Sequence, residues 1–560
     1  MNDRIHDALV GVSDVYSKHL AELLERYHFR TTVKILVVID GGISLTEAPS
    51  GFGIGRVVRL LRESHVGCLN FSVDLAVREG PAATVASPAA DQPKYTGFRF
   101  DQQAGGAPIL DSYHEVWCFG FNPGNDAGPD SNITLSGELP ASDAELRVLT
   151  KWMNEKQGGL LAMGDHDYLG ASMCHRIPRI RSMRRWTNAQ GVPPIGGMGQ
   201  PDTHLRHDTN QPFTAAQLGG TATIPFSVQE DSKPQAIDWV PCLSQRTVFA
   251  ISTRPHPILC HPVHGPIDVL PDHPHEGWCY EDDEVDLGQT YEFDDYAGDE
   301  YPTVAGNQPA PMLIAHGWTT PNPPYLLAKG VSPKKRFGMI SVYDGHAANV
   351  GRVATDSTWH HWFDENINAI ESAGGANWDK ISRYYLNVAS WLAPPSVPDF
   401  CLGASIVSSH FTYLGFQEYS KRMSAFDLGV SLRAHLIKRY GPCWVTDWVF
   451  DKLRLVDDDF WSWLKERLFW SKNKPVPGGP CLSCPPFEFV ESVVLGGLVK
   501  VTFPLADSLK KQVAEGSGKP LKLDEGGFVG WQKEGVLLGV KELRGALAAS
   551  SKEMHARLKL

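Results

Sequence analysis

The chain lacks the signatures that settle a protein's chemistry at a glance. It has no HExxH helix, no complete G-x-G-x-x-G fingerprint and no Walker loop. No zincin pattern and no nucleotide cofactor is therefore indicated. Its first thirty residues carry Asp and Glu throughout and no apolar core, so they do not read as a signal peptide. No apolar run approaches the ~20 residues a membrane span needs. Together these absences lead us to expect a cytoplasmic protein with no membrane partner. Ten cysteines are scattered through the 560 residues, and without an export signal they are expected to be reduced. The single CLSC pair, Cys481 and Cys484, has no second pair to complete a structural zinc site. Cys443 or Cys401 is a candidate to complete one, but the spacing favours a Pro-bounded turn with two free thiols. Internal repeats are absent too.

What is present is ordinary in bulk: 42% hydrophobic and 21% charged residues describe a soluble globular protein. At this length one compact core is not enough, so at least two domains are expected. The net charge of −12 argues against nucleic acid as a partner. Residues 1–30 place Ile5, Leu9, Val12, Tyr16, Leu20, Leu23 and Tyr27 at steps of three and four. That spacing predicts an amphipathic helix that packs on the body or on a second subunit.

From residue 31 the chain alternates strands and helices. VKILVVID (Val33–Asp40) reads as a first strand, followed by a Gly-rich loop and a helix from about Gly55 to Glu63. Further strands are expected at Phe71–Arg78 and Glu115–Phe121. Ser142 with Glu145 three residues later forms a capping box that starts a helix through Leu146, Leu149 and Trp152. GGLLAMGD then reads as a buried strand that ends in a polar turn. This rhythm means an α/β fold, a flavodoxin-like parallel sheet with helices on both faces. Residues 190–310 break the rhythm and read as a large loop insertion over one face. The pattern resumes at Pro311–Gly317, Arg336–His346 and Val350–Trp362, and the domain closes at the Pro-rich Ala393–Phe400. Residues 400–560 read as a mostly helical α+β segment, with VESVVLGGLVKVTF as its strand-like part.

Ligands of open parallel sheets sit beyond the carboxyl ends of the strands. The turn Asp165-His166-Asp167 lies at such an end, where His with flanking carboxylates serves as general base or metal ligand. An ordinary Asp N-cap explains the same turn. Tyr343–His346 and Asp356–Trp362 also follow expected strands, so His346, His360 and His361 should project to the same edge as His166. The bland alternative packs one of the paired histidines against Trp359 or Trp362. A second cluster, His261, His264, His273, His275 and Glu276 with Asp272, combines imidazole and carboxylate in loops, which suits zinc, manganese or iron. Its spacing matches no named motif, and Pro and His are also common in turns. His204, Arg206, His207 and Asp208 offer an anion site or a polar surface loop. Arg176, Arg179, Arg181, Arg184 and Arg185 suit a phosphate or carboxylate, or a solvated helical face. Glu276–Glu300 holds eleven acids and no Lys or Arg, a solvated run or the partner of that Arg block. GFGIG (Gly51–Gly55) is a weak nucleotide-loop pattern.

The order of these pieces resembles the class I glutamine-amidotransferase-like superfamily, and within it the ThuA-like, trehalose-utilisation branch. The pieces are VKILVVID, the turn Gly164-Asp165-His166, and Gly351-Arg352-Val353 leading to His360; the resemblance spans about residues 30–395. It implies a flavodoxin-like sheet and sugar-related chemistry. The chain departs from true amidotransferases at the elbow, where no Cys stands, and Cys174 lies about two helical turns on. Glutamine hydrolysis is therefore not expected.

Two functions follow as expectations. The first is a hydrolase- or lyase-like enzyme acting on a small polar, carbohydrate-like substrate. Asp165, His166, Asp167, His346, His360 and His361 would do the chemistry, His261, His264, His273, His275 and Glu276 would hold a divalent metal, and Arg206 and His207 would hold a substrate anion. The second is a catalytically silent ligand-binding or scaffold protein. Either is compatible with a homo-oligomer formed through the N-terminal helix or the C-terminal domain.

Overall fold

The structure is a computed structural model that describes residues 30–47, 52–123, 139–165, 169–186, 204–205, 232, 234–246, 251–271, 275–318, 336–412, 423–456, 458–468, 486–514 and 525–558. The N-terminal helix expected over 1–30 and the CLSC pair lie outside the described residues.

The first strand, β1 (Thr31–Ile39), is apolar almost throughout and buried on both faces, as a central parallel strand must be. It pairs in parallel with β2 (Leu69–Val77) on one side and β3 (Glu115–Phe119) on the other. β4 (Gly159–Met163) follows β3 in parallel. Next to β4 lies not the next strand in sequence but β7 (Val353–Asp356), again parallel. The parallel core thus runs β2-β1-β3-β4-β7. Beyond β7 the sheet continues through two antiparallel strands, β6 (Arg336–Tyr343) and then β5 (Met312–Trp318). A two-residue piece, Asp238–Trp239, pairs with β5 at that edge.

Helices cover both faces. Val33, Ile35, Val37 and Ile39 point to one face and Leu36 and Val38 to the other, the period of two that a strand imposes. On the first face lie α1 (Gly55–Glu63), α3 (Asp364–Ala373) and α4 (Gly375–Leu392); on the second lies α2 (Asp143–Glu155). The capping box at the start of α2 forms as its sequence requires, with Ser142 and Glu145 exchanging hydrogen bonds. Glu145 has a second duty: it accepts from the buried Arg78 at 2.7 Å.

The described residues of the insertion are not confined to one face, as the sequence suggested, but reach both sides of the sheet and pair with the β5 edge. Ile237, Leu243, Ile258, Leu259 and Leu270 enter the core on the α4 side, whereas Tyr291, Phe293 and Tyr301 enter it on the α2 side. An open edge strand exposes unpaired backbone groups, and a paired segment covers them.

The C-terminal segment also departs from expectation. Its described residues form helices only: α5 (Ser396–Thr412), α6 (Ala425–Tyr440), α7 (Pro442–Val456), α8 (Asp458–Leu468), α9 (Phe487–Ala514) and α10 (Glu525–Leu558). The strand-like VESVVLGGLVKVTF is the middle of α9. A β-branched run reads the same in a buried strand and a helix buried on several sides, and periodicity does not separate them. Its glycines decide the matter: a Cβ on Gly496 would stand 1.6 Å from the Ala425 carbonyl oxygen, so α9 and α6 cross in near backbone contact. Phe487–Ser508 is long and apolar enough, by length and composition, to cross a membrane, contrary to the run count made from sequence; 72% of that stretch is buried within the protein. The expectation of reduced cysteines also fails at one place, since Cys68, just before β2, is disulfide-bonded to Cys401 in α5.

Candidate functional site

Every parallel strand delivers its last residues to one edge of the sheet, and besides the buried Arg78 after β2, three of them deliver buried carboxyl or imidazole groups there. β1 ends in Asp40, fully buried. One carboxylate oxygen of Asp40 accepts the backbone N–H groups of Phe121 (2.5 Å) and Asn122 (3.2 Å), which ties the end of β1 to the turn after β3. Its second oxygen is buried with no hydrogen-bond partner among the described residues. Burial is the main cause that pushes this carboxyl up to about 7, against the lowering pull of the Phe121 N–H and of Arg78.

β4 ends in Gly164 and Asp165. A side chain at Gly164 would place its Cβ 1.9 Å from the Leu169 carbonyl oxygen, so only glycine lets the turn fold back this tightly. Asp165 is fully buried, and its N–H donates to Leu169 O at 3.0 Å. β7 ends in Asp356 and a short helical turn, Trp359–His361, started by Thr358, whose hydroxyl accepts the His360 N–H at 3.0 Å. His360 is 1% exposed. Its Nε2 stands 3.8 Å from the Asp165 carboxylate, and its Nδ1 lies 2.7 Å from Asn366 Oδ1 and 3.6 Å from Glu365. An amide oxygen only accepts, so Nδ1 carries the proton. Nε2 is the ring atom that faces the Asp165 carboxylate.

Two features hold this arrangement. Arg184 is buried and donates to the backbone carbonyls of Asp356 (3.1 Å), Asp165 (2.8 Å) and Ser357 (2.9 Å), clamping the ends of β4 and β7 together. Beneath, His361 Nδ1 donates to Asp356 at 2.8 Å, and Trp362 Nε1 and the Tyr384 hydroxyl donate to the other oxygen of Asp356. Around His360 stands an aromatic wall. Trp359 lies 4.3 Å from its ring centroid, Phe52 5.5 Å and Phe363 5.6 Å, and Phe121 stacks on Trp359 at 5.8 Å.

The histidines singled out from sequence are dispersed by the fold. His360 and Asp165 meet, and His361 lies under them in the Asp356 network. His166 and Asp167 adjoin Asp165 in sequence but lie outside the described residues, as do His273, Arg206 and His207. His346 is at the other edge of the sheet. β6 runs antiparallel to β7, so Tyr343 pairs with Val353 and the chain leaves β6 at the amino edge. The apolar run of β6 is the same in either direction, and only pairing reveals which way it points.

The expected metal cluster also divides. His264 Nε2 is 3.0 Å from Asp379 of α4, and His261 Nδ1 accepts the N–H groups of Val263 and His264. Burial and the neighbouring His264 push His261 down to about 4. The backbone of His275–Glu276 instead pairs with His204–Leu205, and the next residue, Gly277, donates to Ser357 O at 3.1 Å. The stretch at Gly277 therefore reaches the His360 edge, whereas His264 sits against α4. Among the described residues, no three His, Cys, Asp or Glu side chains form a group able to hold a metal ion.

Arg179, Arg184 and Arg185 of the Arg block are buried, and Arg176 and Arg181 reach the surface but pair within the chain. Arg181 pairs with Glu300, Arg176 with Asp143, and the Arg179 N–H donates to Glu300 at 2.7 Å. The Gly-rich loop serves α1 in a similar way, because the Asp364 carboxylate accepts the Arg56 N–H at 2.8 Å, where a nucleotide loop would present a phosphate.

Sequence reasoning weighed the packing of a histidine on Trp359, which the structure bears out, but passed over Asp40, Asn366 and the Phe52, Phe121 and Phe363 rings. Asp40 had a readable signal, a carboxylate ending a wholly apolar strand. Asn366 and Phe52 had none, since they reach the edge from a helix and a loop.

The buried Asp40 has a testable consequence. Its folded value of about 7 exceeds the ordinary 3.8. Between these the folded carboxyl keeps a proton that the unfolded one releases, so stability falls as pH rises through this window and levels off above it. Asp40→Asn keeps an acceptor oxygen and never ionises. We expect the variant to be more stable than the parent by about 2–4 kcal/mol at pH 8, with the gap closing near pH 4. Urea melts at both pH values check this, and an equal gap at each would refute it.

No protein-family model matches this chain, and neither a curated protein nor a solved structure matches it.

Proposed function

We propose that this protein is an enzyme of hydrolase or lyase type that acts on a small polar substrate at the carboxyl edge of its sheet. The observation that carries the reading is the convergence of Asp40, Asp165 and His360 from the ends of three parallel strands. Such groups are normally excluded from an interior, and their collection at the edge where open sheets bind ligands favours function. His360 Nε2 is the general base and, once protonated, the general acid. Asp165 faces it and balances the imidazolium, and Asn366 fixes the ring. Asp40, with its raised value, supplies a second proton site. The aromatic wall suits the apolar face of a carbohydrate ring.

Strand order β2-β1-β3-β4-β7 is the 2-1-3-4-5 order of flavodoxin-like sheets. It supports kinship with the class I amidotransferase-like superfamily and its ThuA-like branch. The resemblance puts the turn Gly164-Asp165-His166, with no Cys, where a nucleophilic Cys would be needed, so the proposed chemistry is acid–base. A divalent metal belongs to this reading only through His166, Asp167, His273, His275 and Glu276, and metal analysis of the purified protein tests that part.

The test of function is turnover across a panel of glycosides, esters and lactones, followed by His360→Gln. We expect a loss of about 10²- to 10⁴-fold with an unchanged melting temperature; undiminished turnover would overturn the role of His360. One observation favours the second reading, a silent binding module: Asp40, Asp165 and His360 are all at most 1% exposed. On that reading His360→Gln leaves ligand or partner binding as it was.

A further inference from the structure

A second polar site lies at the opposite edge of the sheet, in the seam between the α/β part and the C-terminal helices. There a cavity of about 170 Å³ is walled by Asp344 after β6, Asp447, Asp451 and Arg454 of α7, Trp391 of α4 and Trp461 of α8. Arg352, at the start of β7, sits behind it. The Arg352 guanidinium donates to Asp344 (2.9 Å), Asp451 (3.1 Å) and Asp447 (3.4 Å), and Arg454 donates to Asp344 (3.4 Å) and pairs with Asp451 at 3.2 Å.

The charges do not balance. Three carboxylates face two guanidinium groups, and burial holds His256, the histidine in the lining, down to about 3 and hence neutral. Five of the six carboxylate oxygens are bonded to Arg352 or Arg454. The sixth, Asp447 Oδ1, has no hydrogen bond among the described residues. The carboxylate side chains keep 22–33% exposure while Arg352 keeps 2%, so the acids front the cavity and the cation lies behind them. A second polar group waits at the same wall: Trp391 is 1% exposed, and its indole N–H has no acceptor among the described residues.

We propose that this cavity binds a small organic cation, a primary amine that also carries an acceptor oxygen. The ammonium is held by Asp447 Oδ1 and supplies the missing positive charge. The oxygen accepts from Trp391 Nε1, and the stem lies against Trp461 and Phe450, where an aromatic face adds cation–π attraction. The volume limits the ligand to about seven or eight non-hydrogen atoms, since a cavity of roughly 150 Å³ takes benzene. Burial and the neighbouring Asp451 charge push Asp447 up to about 8, so without a ligand the trio keeps a proton at neutral pH that an ammonium would replace.

The experiment is calorimetric titration of the full chain with 5-amino-1-pentanol and with 1,5-pentanediol, its neutral isostere. We expect the amine to bind at least about tenfold more tightly. Asp447→Asn, which relieves carboxylate repulsion and so should fold, is expected to erase that difference. Trp461→Ala leaves the carboxylates intact and should weaken the amine more than the diol, since both lose stem packing and only the amine loses cation–π attraction. Equal binding of amine and diol, or no binding of either at about 10 mM, would overturn the proposal.

Discussion

Replacing Arg352 by Met should destabilise the protein by about 3–5 kcal/mol. Arg352 is 2% exposed and holds Asp344, Asp447 and Asp451 from one guanidinium, which also stacks 4.6 Å over Trp391 and donates to the Trp391 carbonyl. Met keeps the aliphatic stem, so the loss reports the guanidinium: its charge, its hydrogen bonds and its stacking on Trp391. Three carboxylates would remain against Arg454 alone. Asp447 and Asp451, already pushed up by burial, would rise further, and Asp344, held below its ordinary value against burial by Arg352 and Arg454, would lose the first of them; the defect should therefore be largest near pH 8 and shrink toward pH 5 as protons replace the guanidinium. Arg352→Lys restores the charge but not the fork, and should recover only part of the loss. Denaturant midpoints at the two pH values decide it; a shift below about 1 kcal/mol would mean that Arg454 suffices. Because Asp447 and Asp451 belong to α7, we expect the C-terminal helices to loosen before the sheet does, and helix-specific hydrogen exchange would show the order.

The second large effect is expected at Asp356. Its two oxygens accept from His361, Trp362 and Tyr384, all buried. Asp356→Asn puts an NH₂ where one of these donors points, and leaves at least one buried donor without an acceptor. Each such orphan costs about 1–3 kcal/mol, and the weakened charge on the His361 hydrogen bond adds to it. We expect a loss of about 3 kcal/mol, or roughly 3 °C in melting temperature for a chain of this length, read by calorimetry. A variant that melts with the parent would show that the network relaxes around the amide. The same substitution should reduce any turnover assigned to His360, whose turn is anchored by the neighbouring His361.

How far these residues were legible from sequence depends on the range of the interaction that places them. Asp165 was found because it ends an apolar run and His360 because it follows one within a few residues, and the carboxyl end of a parallel strand is a local feature. The Ser142–Glu145 cap was readable for the same reason, being complete within four residues. His346 was misplaced because strand direction is not written in an apolar run. β6 enters the sheet antiparallel after a long excursion, and that reversal carries the Asp344 turn to the far edge. His261 and His264 went astray differently: Asp379, which receives His264, lies over a hundred residues downstream, and no spacing rule reaches that far. The helix α9 was read as a strand because Val, Leu and Gly fit either setting until a partner helix is known.

The sequence by itself determined the alternation of strands and helices through β4, the burial of the central strands, the start of α2 and the carboxylates at the strand ends. Each is fixed by the short-range periodicity of apolar side chains and by local hydrogen bonding. Only the tertiary structure decided which strand lies beside β4, which way β6 runs, and which of the many histidines share an edge. It alone placed Arg352 behind three carboxylates from two distant segments. These are matters of pairing and charge compensation between groups far apart in the chain, where the free energy depends on who the neighbour is.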